Sequence, residues 1–196
     1  MDHRMSRGVW SGARSSSATS HASLPLAWQV LLLLAAGVTV ALLHEGFRFP
    51  LKMPGHHGIE WFGILLLARL ASPLKLAGIT VAAGAILGTA TFGAHGLHAV
   101  QGIVTLLQAG VVDLAFAFLA WVGRSAAALM VLGALTHMLA PLVKAAAQSA
   151  GGAQFGSLAS GLAYPLSTHL LFGASGALAA WLCFGVLARA RGHSRR

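Results

Sequence analysis

The chain has 196 residues, 57% of them hydrophobic and 9% charged. Soluble domains carry about 25% charged residues, so this composition excludes an ordinary water-soluble domain and points to an all-α membrane bundle with spans near 20 residues. The net charge is +9, but seven of the 13 basic residues sit in two tails (Arg4, Arg7, Arg14, Arg189, Arg191, Arg195 and Arg196). That placement reads as marking of the cytoplasmic side, not as nucleic-acid binding.

Residues 1–24 form a polar tail rich in Ser, His and Arg. The first apolar run, 25–44, ends on His44-Glu45 and not on a small-residue cleavage site, so it reads as a retained helix. Pro50 and Pro54 break any incoming helix, and Gly55 and Gly58 allow a sharp bend. The 45–57 connection is therefore expected to cap or plug the bundle, because irregular backbone at membrane depth survives only where protein or a water-filled cavity covers it. A second, short span at 58–71 is closed by Ser72-Pro73. Further spans are expected at 76–93, 102–123, 125–144 and 166–188. The uncharged 145–165 stretch reads as an outer loop or an interfacial helix. The membrane domain is thus 25–189, followed by a basic tail at 190–196.

Six spans put both termini on one side, and both tails are basic, so both are expected in the cytoplasm of a bacterial cell with the bundle in its inner membrane. Lys75 and Arg124 then lie in inner connections, with Arg69 at the inner end of span two. Arg48, Lys52 and Lys144 lie on the outer side. Small residues recur at four-residue spacing, as Gly37/Ala41, Gly84/Gly88 and Ser175/Ala179. Such spacing lets helices approach closely in lipid, either inside this bundle or against another membrane subunit. Trp28, Trp61 and Trp121 fit an interfacial belt, and Trp61 beside Glu60 also fits a pocket wall. The single cysteine, Cys183, allows no internal disulfide and reads as a small buried hydrophobe.

On this topology the ionisable groups gather on the outer side. His44, His56, His57, His95, His98, Glu45 and Glu60 lie near outer ends, and His137 and His169 lie in outer half-spans. Such groups are costly in a membrane unless they face the bundle interior or water, so an outward cavity is expected, lined by His56, His57, Glu60, Trp61, His95, His98, His137 and His169. Imidazoles are common ligands of transition metals, and His56/His57 with His95 and His98 have spacings suited to chelation. His137 and His169, on different helices at compatible depth, are candidates for a haem axial pair or for hydrogen bonds to backbone and hydroxyl groups. Asp113 falls within span four and is expected to be a deeper proton or charge partner of the cavity, or to bond Gln108 or a neighbouring helix.

No nucleophile elbow, phosphate loop or dinucleotide motif is present. Short Gly/Ala-rich spans in under 200 residues, the Gly37/Ala41 pair and an outward polar cap together resemble the substrate-binding components of energy-coupling-factor transporters. In that family a small-residue motif of the first span docks on a coupling subunit; here Gly37 stands in place of the first alanine. The resemblance implies a vitamin-like or metal substrate and an ATPase supplied by other chains. Two other functions fit the sequence: a non-catalytic membrane anchor or assembly subunit, and a haem-bearing electron-transfer subunit.

Overall fold

The computed structural model describes residues 24–46, 53–93, 99–119, 121–151 and 154–193, with side chains followed as far as 190. Among these residues every regular element is helical. The helices are α1 (Leu26–Gly46), α2 (Gly58–Ala71), α3 (Ala77–Phe92), α4 (Ala99–Phe118), α5 (Ala126–His137), α6 (Leu139–Ser149) and α7 (Ala163–His193). Single 3-10 turns lie at Val122–Arg124 and Gly156–Leu158.

Four helical stretches are long and apolar enough to cross a membrane: Leu26–Gly46, Ala99–Phe118, Ala126–Ser149 and Ala163–Ala190. The second and third expected spans are shorter, with 14 residues in α2 and 16 in α3. At about 1.5 Å per residue neither reaches across a hydrocarbon core of about 30 Å. Ser72 stops α2 in an extended conformation (φ −103°, ψ 136°), as expected of a residue that precedes proline. Ser125 caps α5 by accepting the Ala128 amide at 3.4 Å. The expected fifth span is two helices that break at Met138. Pro141 explains the break: it has no amide hydrogen to give to the His137 carbonyl, and its ring crowds that same carbonyl. The expected loop at 145–165 begins as the end of α6, and α7 runs through His193, past the tail boundary expected at 190.

The bundle is drawn together by backbones in near contact. A Cβ on Gly37 would strike the Val81 carbonyl, one on Gly84 would strike the Leu34 carbonyl, and one on Gly88 would lie 2.7 Å from Ala41 Cβ. The Gly37/Ala41 face of α1 is therefore buried against α3 of the same chain. A docking role for that pair, which the resemblance implies, competes with a contact already made. On α7 the tight face is Gly173, Gly176 and Ala177 rather than Ser175/Ala179: Gly173 meets Gly133 of α5, and a Cβ on Gly176 would lie 2.6 Å from the Gly58 carbonyl of α2. Phe62, Leu65, Leu66, Val81, Val112 and Leu129 fill the space between the helices and are fully buried.

The C-terminal ends of α1 and α3 and the α5–α6 break meet the N-terminal parts of α2, α4 and α7, and together they wall one cavity. The ends opposite hold Arg69, Asp113 and the start of α3.

Candidate functional site, a histidine-lined cavity at one end of the bundle

The cavity begins with a turn. Gly55 adopts φ +80°, open to glycine at little cost, and a Cβ there would also lie 2.6 Å from His169 Nδ1. The bend brings the Gly55 carbonyl to His137, whose Nε2–H donates to it at 3.1 Å. That bond leaves His137 Nδ1 as an acceptor, and the Gln108 amide nitrogen approaches it at 3.3 Å. The same nitrogen reaches the carbonyls of Thr136 at 3.4 Å and His137 at 3.5 Å. It thereby serves the carbonyl that Pro141 leaves without its helical partner. Gln108 Oε1 in turn accepts from Trp61 Nε1–H at 2.8 Å. Gln108 and His137 are buried, so this chain of bonds satisfies groups that would be costly if left alone.

A second group sits at the rim. Glu60 lies in the first turn of α2, where the helix dipole favours a carboxylate. Its Oε1 is hydrogen-bonded to His57 Nδ1, and His44 Nδ1 of α1 stands 3.9 Å from the same oxygen. The rings of His44 and His57 are 3.9 Å apart, centre to centre, and the His56 ring lies at the same separation from His57, each pair tilted.

Between these groups lies a cavity of about 450 Å³. Its polar lining includes His44, Glu45, His57, Glu60, Gln108, His137, Lys144 and His169, and Val40, Ala85, Val100, Val104, Ala140, Trp61 and Phe155 supply much of the apolar wall.

Of the residues expected to line a site, the structure brings together His57, Glu60, Trp61, His137 and His169. His95 and His98 lie outside the described residues. His56 does not join the wall: its Nδ1 is bonded to the Met53 carbonyl at 2.7 Å. Trp61 is buried and bonded to Gln108, so it belongs to the cavity and not to an interfacial belt.

Of the alternatives for Asp113, the structure shows the bond to a neighbouring helix: it lies at the end of the bundle opposite the cavity, away from the expected site, and does not bond Gln108. Its two carboxylate oxygens accept the amides of Gly78 and Ile79, each at 2.9 Å, at the start of α3. Arg69 Nε lies 3.2 Å from Oδ1, off hydrogen-bond alignment but in close charge contact. The physical reason is length: α4 ends at Phe118, so Asp113 is near a helix end and within reach of the amides that open α3.

The haem geometry also fails. The His137 and His169 rings are only 4.5 Å apart, centre to centre. Metal–imidazole bonds of about 2 Å on each side of an iron would alone separate the two nitrogens by about 4 Å, with the rings farther apart still. Both His137 nitrogens are engaged, and His169 Nδ1 is held by the Pro165 carbonyl at 2.7 Å.

Two contributors escaped the sequence-level site: His44 and Gln108. An amide inside an apolar helix was the signal for Gln108, and the His44-Glu45 end of the first helix was the signal for His44. Comparison of the chain with family models, curated proteins and solved structures returns no match.

Proposed function

We propose that the chain binds a small organic solute in this cavity for uptake across a bacterial inner membrane, with an ATPase supplied by partner subunits. The observation that carries the reading is the cavity itself. Its volume of about 450 Å³ falls within the range of about 300–1,000 Å³ common to small-molecule sites. Its wall is mainly apolar with a few convergent polar groups, which suits an organic body better than a bare ion. Lys144 lines it, and no ion pair among the described residues involves that lysine. An anionic group on the solute would supply the missing counter-charge.

Outward opening is supported by charge. Arg69, Lys75, Arg124 and Arg189 lie toward the end opposite the cavity, as basic residues do on a cytoplasmic side. This fits both termini lying inside. The lack of a nucleotide motif is why energy would come from other chains. The anchor reading is weaker, because its motive was the set of small-residue faces, and two of the three, Gly37/Ala41 and Gly84/Gly88, pack against each other within the chain.

The test is native mass spectrometry of the full chain, purified gently in mild detergent. A retained small molecule is expected, together with its loss in Glu60→Ala and His57→Ala variants that express normally. Retention unchanged in both variants, or no saturable binding of any metabolite by the wild-type protein, removes the reading.

A further inference from the structure

We infer that His44, His57 and Glu60 form a three-ligand site for a divalent transition-metal ion at the rim of the cavity. One donor atom from each lies within 4.8 Å of the others. They come from two separate elements, the last turn of α1 and the start of α2. Three potential ligands thus converge while sharing a single hydrogen bond, from His57 to Glu60.

The donor set fits the ion class. Two imidazoles and one carboxylate suit zinc, cobalt or nickel, whereas magnesium and calcium prefer sites built of oxygens. Bonds of about 2.0–2.2 Å in a tetrahedron place neighbouring donors about 3.3 Å apart. The present 3.9 Å from His44 Nδ1 to Glu60 Oε1 closes with a small turn of the half-exposed His44 ring. His56 lies beside His57 but is tied to the Met53 carbonyl and does not line the cavity, so it is not counted among the ligands. Three protein ligands leave a coordination position open, and here it faces the cavity. A donor atom of a bound solute, or water, would complete it.

The site shares the cavity's rim but does not depend on uptake. The experiment uses the full chain with a histidine-free affinity tag, stripped with EDTA and titrated with Co²⁺ alone. One equivalent is expected to bind, with visible d–d absorption that Zn²⁺ displaces. His44→Ala, the least buried ligand and so the least disturbing to the fold, should weaken binding at least about tenfold and abolish the bands. Glu60→Gln should do the same, and His56→Ala should leave both unchanged. Cobalt binding that is identical in His44→Ala and Glu60→Gln, or no stoichiometric binding at all, overturns the inference. Solute retention by the EDTA-stripped protein is measured separately. Solute without cobalt sinks the metal site and spares the uptake reading, while cobalt at the trio without any solute does the reverse.

Discussion

The two ends of the bundle both bury ionisable groups, and they do so in opposite ways. At the closed end Asp113 accepts two amides, and Arg69 faces it at 3.2 Å, lies over the Phe116 ring at 4.7 Å and reaches the Ser72 carbonyl at 3.4 Å. Gly78 is needed there, because a Cβ would fall 2.9 Å from both the Ala109 carbonyl and Asp113 Oδ1. This carboxylate's bonding is used within the fold. At the cavity end four imidazoles, two glutamates and a lysine line open volume; both His137 nitrogens are engaged, but Lys144 has no ion pair among the described residues. Burial of charge is therefore a poor guide to function in this molecule. Unused capacity facing a cavity is the better one.

The comparison breaks most sharply at Asp113. Asp113→Ala leaves a buried guanidinium without its partner and frees two helix-opening amides, a loss of about 3–5 kcal/mol. Thermal unfolding in mild detergent reads it directly, and the surviving folded protein should retain solute as the wild type does. A variant that unfolds normally but loses its solute would move Asp113 into the binding site. Gly84→Val comes next. Its side chain meets the Leu34 backbone carbonyl, which cannot move aside as a flexible side chain would, so about 3 kcal/mol is expected. Gln108→Leu follows at about 1–3 kcal/mol, because the Trp61 indole and the carbonyl exposed by Pro141 lose their partner together. It should also shift Trp61 fluorescence, which neither of the first two variants is expected to do.

Much of this architecture can be read without coordinates, and the failures have identifiable causes. Helical class follows from apolar runs broken by prolines and glycines, and the ends of α2 follow from Gly58 and Ser72-Pro73. The break at Met138 was equally open to inspection, since Pro141 lies inside the expected fifth span, but a run defined by hydropathy does not register one missing amide. Asp113 was misplaced because span four was drawn to 123, which put a residue near a helix end into the middle of a helix. Gln108 and Trp61 illustrate a different limit. Their partner lies 47 positions away in the chain, and periodicity within one helix carries no information about the neighbour across the bundle. The same holds for Gly37: spacing shows that a close helix approach is possible, but not which helix makes it.

The smallest effect on stability is expected at Lys144, and it is the most telling for the comparison. Lys144→Met keeps the length and the apolar stem while removing a charge that no carboxylate among the described residues neutralises. The stem can still cover the cavity wall, and an unpaired ammonium in a mostly apolar enclosure contributes little to folding, so unfolding should move by less than about 1 kcal/mol in either direction. Solute affinity is another matter. If an anionic group of the solute sits against this ammonium, its loss should cost about tenfold in binding, roughly 1.4 kcal/mol, and Lys144→Arg should recover most of it. Asp113→Ala would then lose stability and keep its solute, and Lys144→Met would do the converse. Should Lys144→Met retain solute with full affinity, the lysine is only a solvated helix end, and the contrast between a self-satisfied end and a receptive one rests on the imidazoles and Glu60 alone.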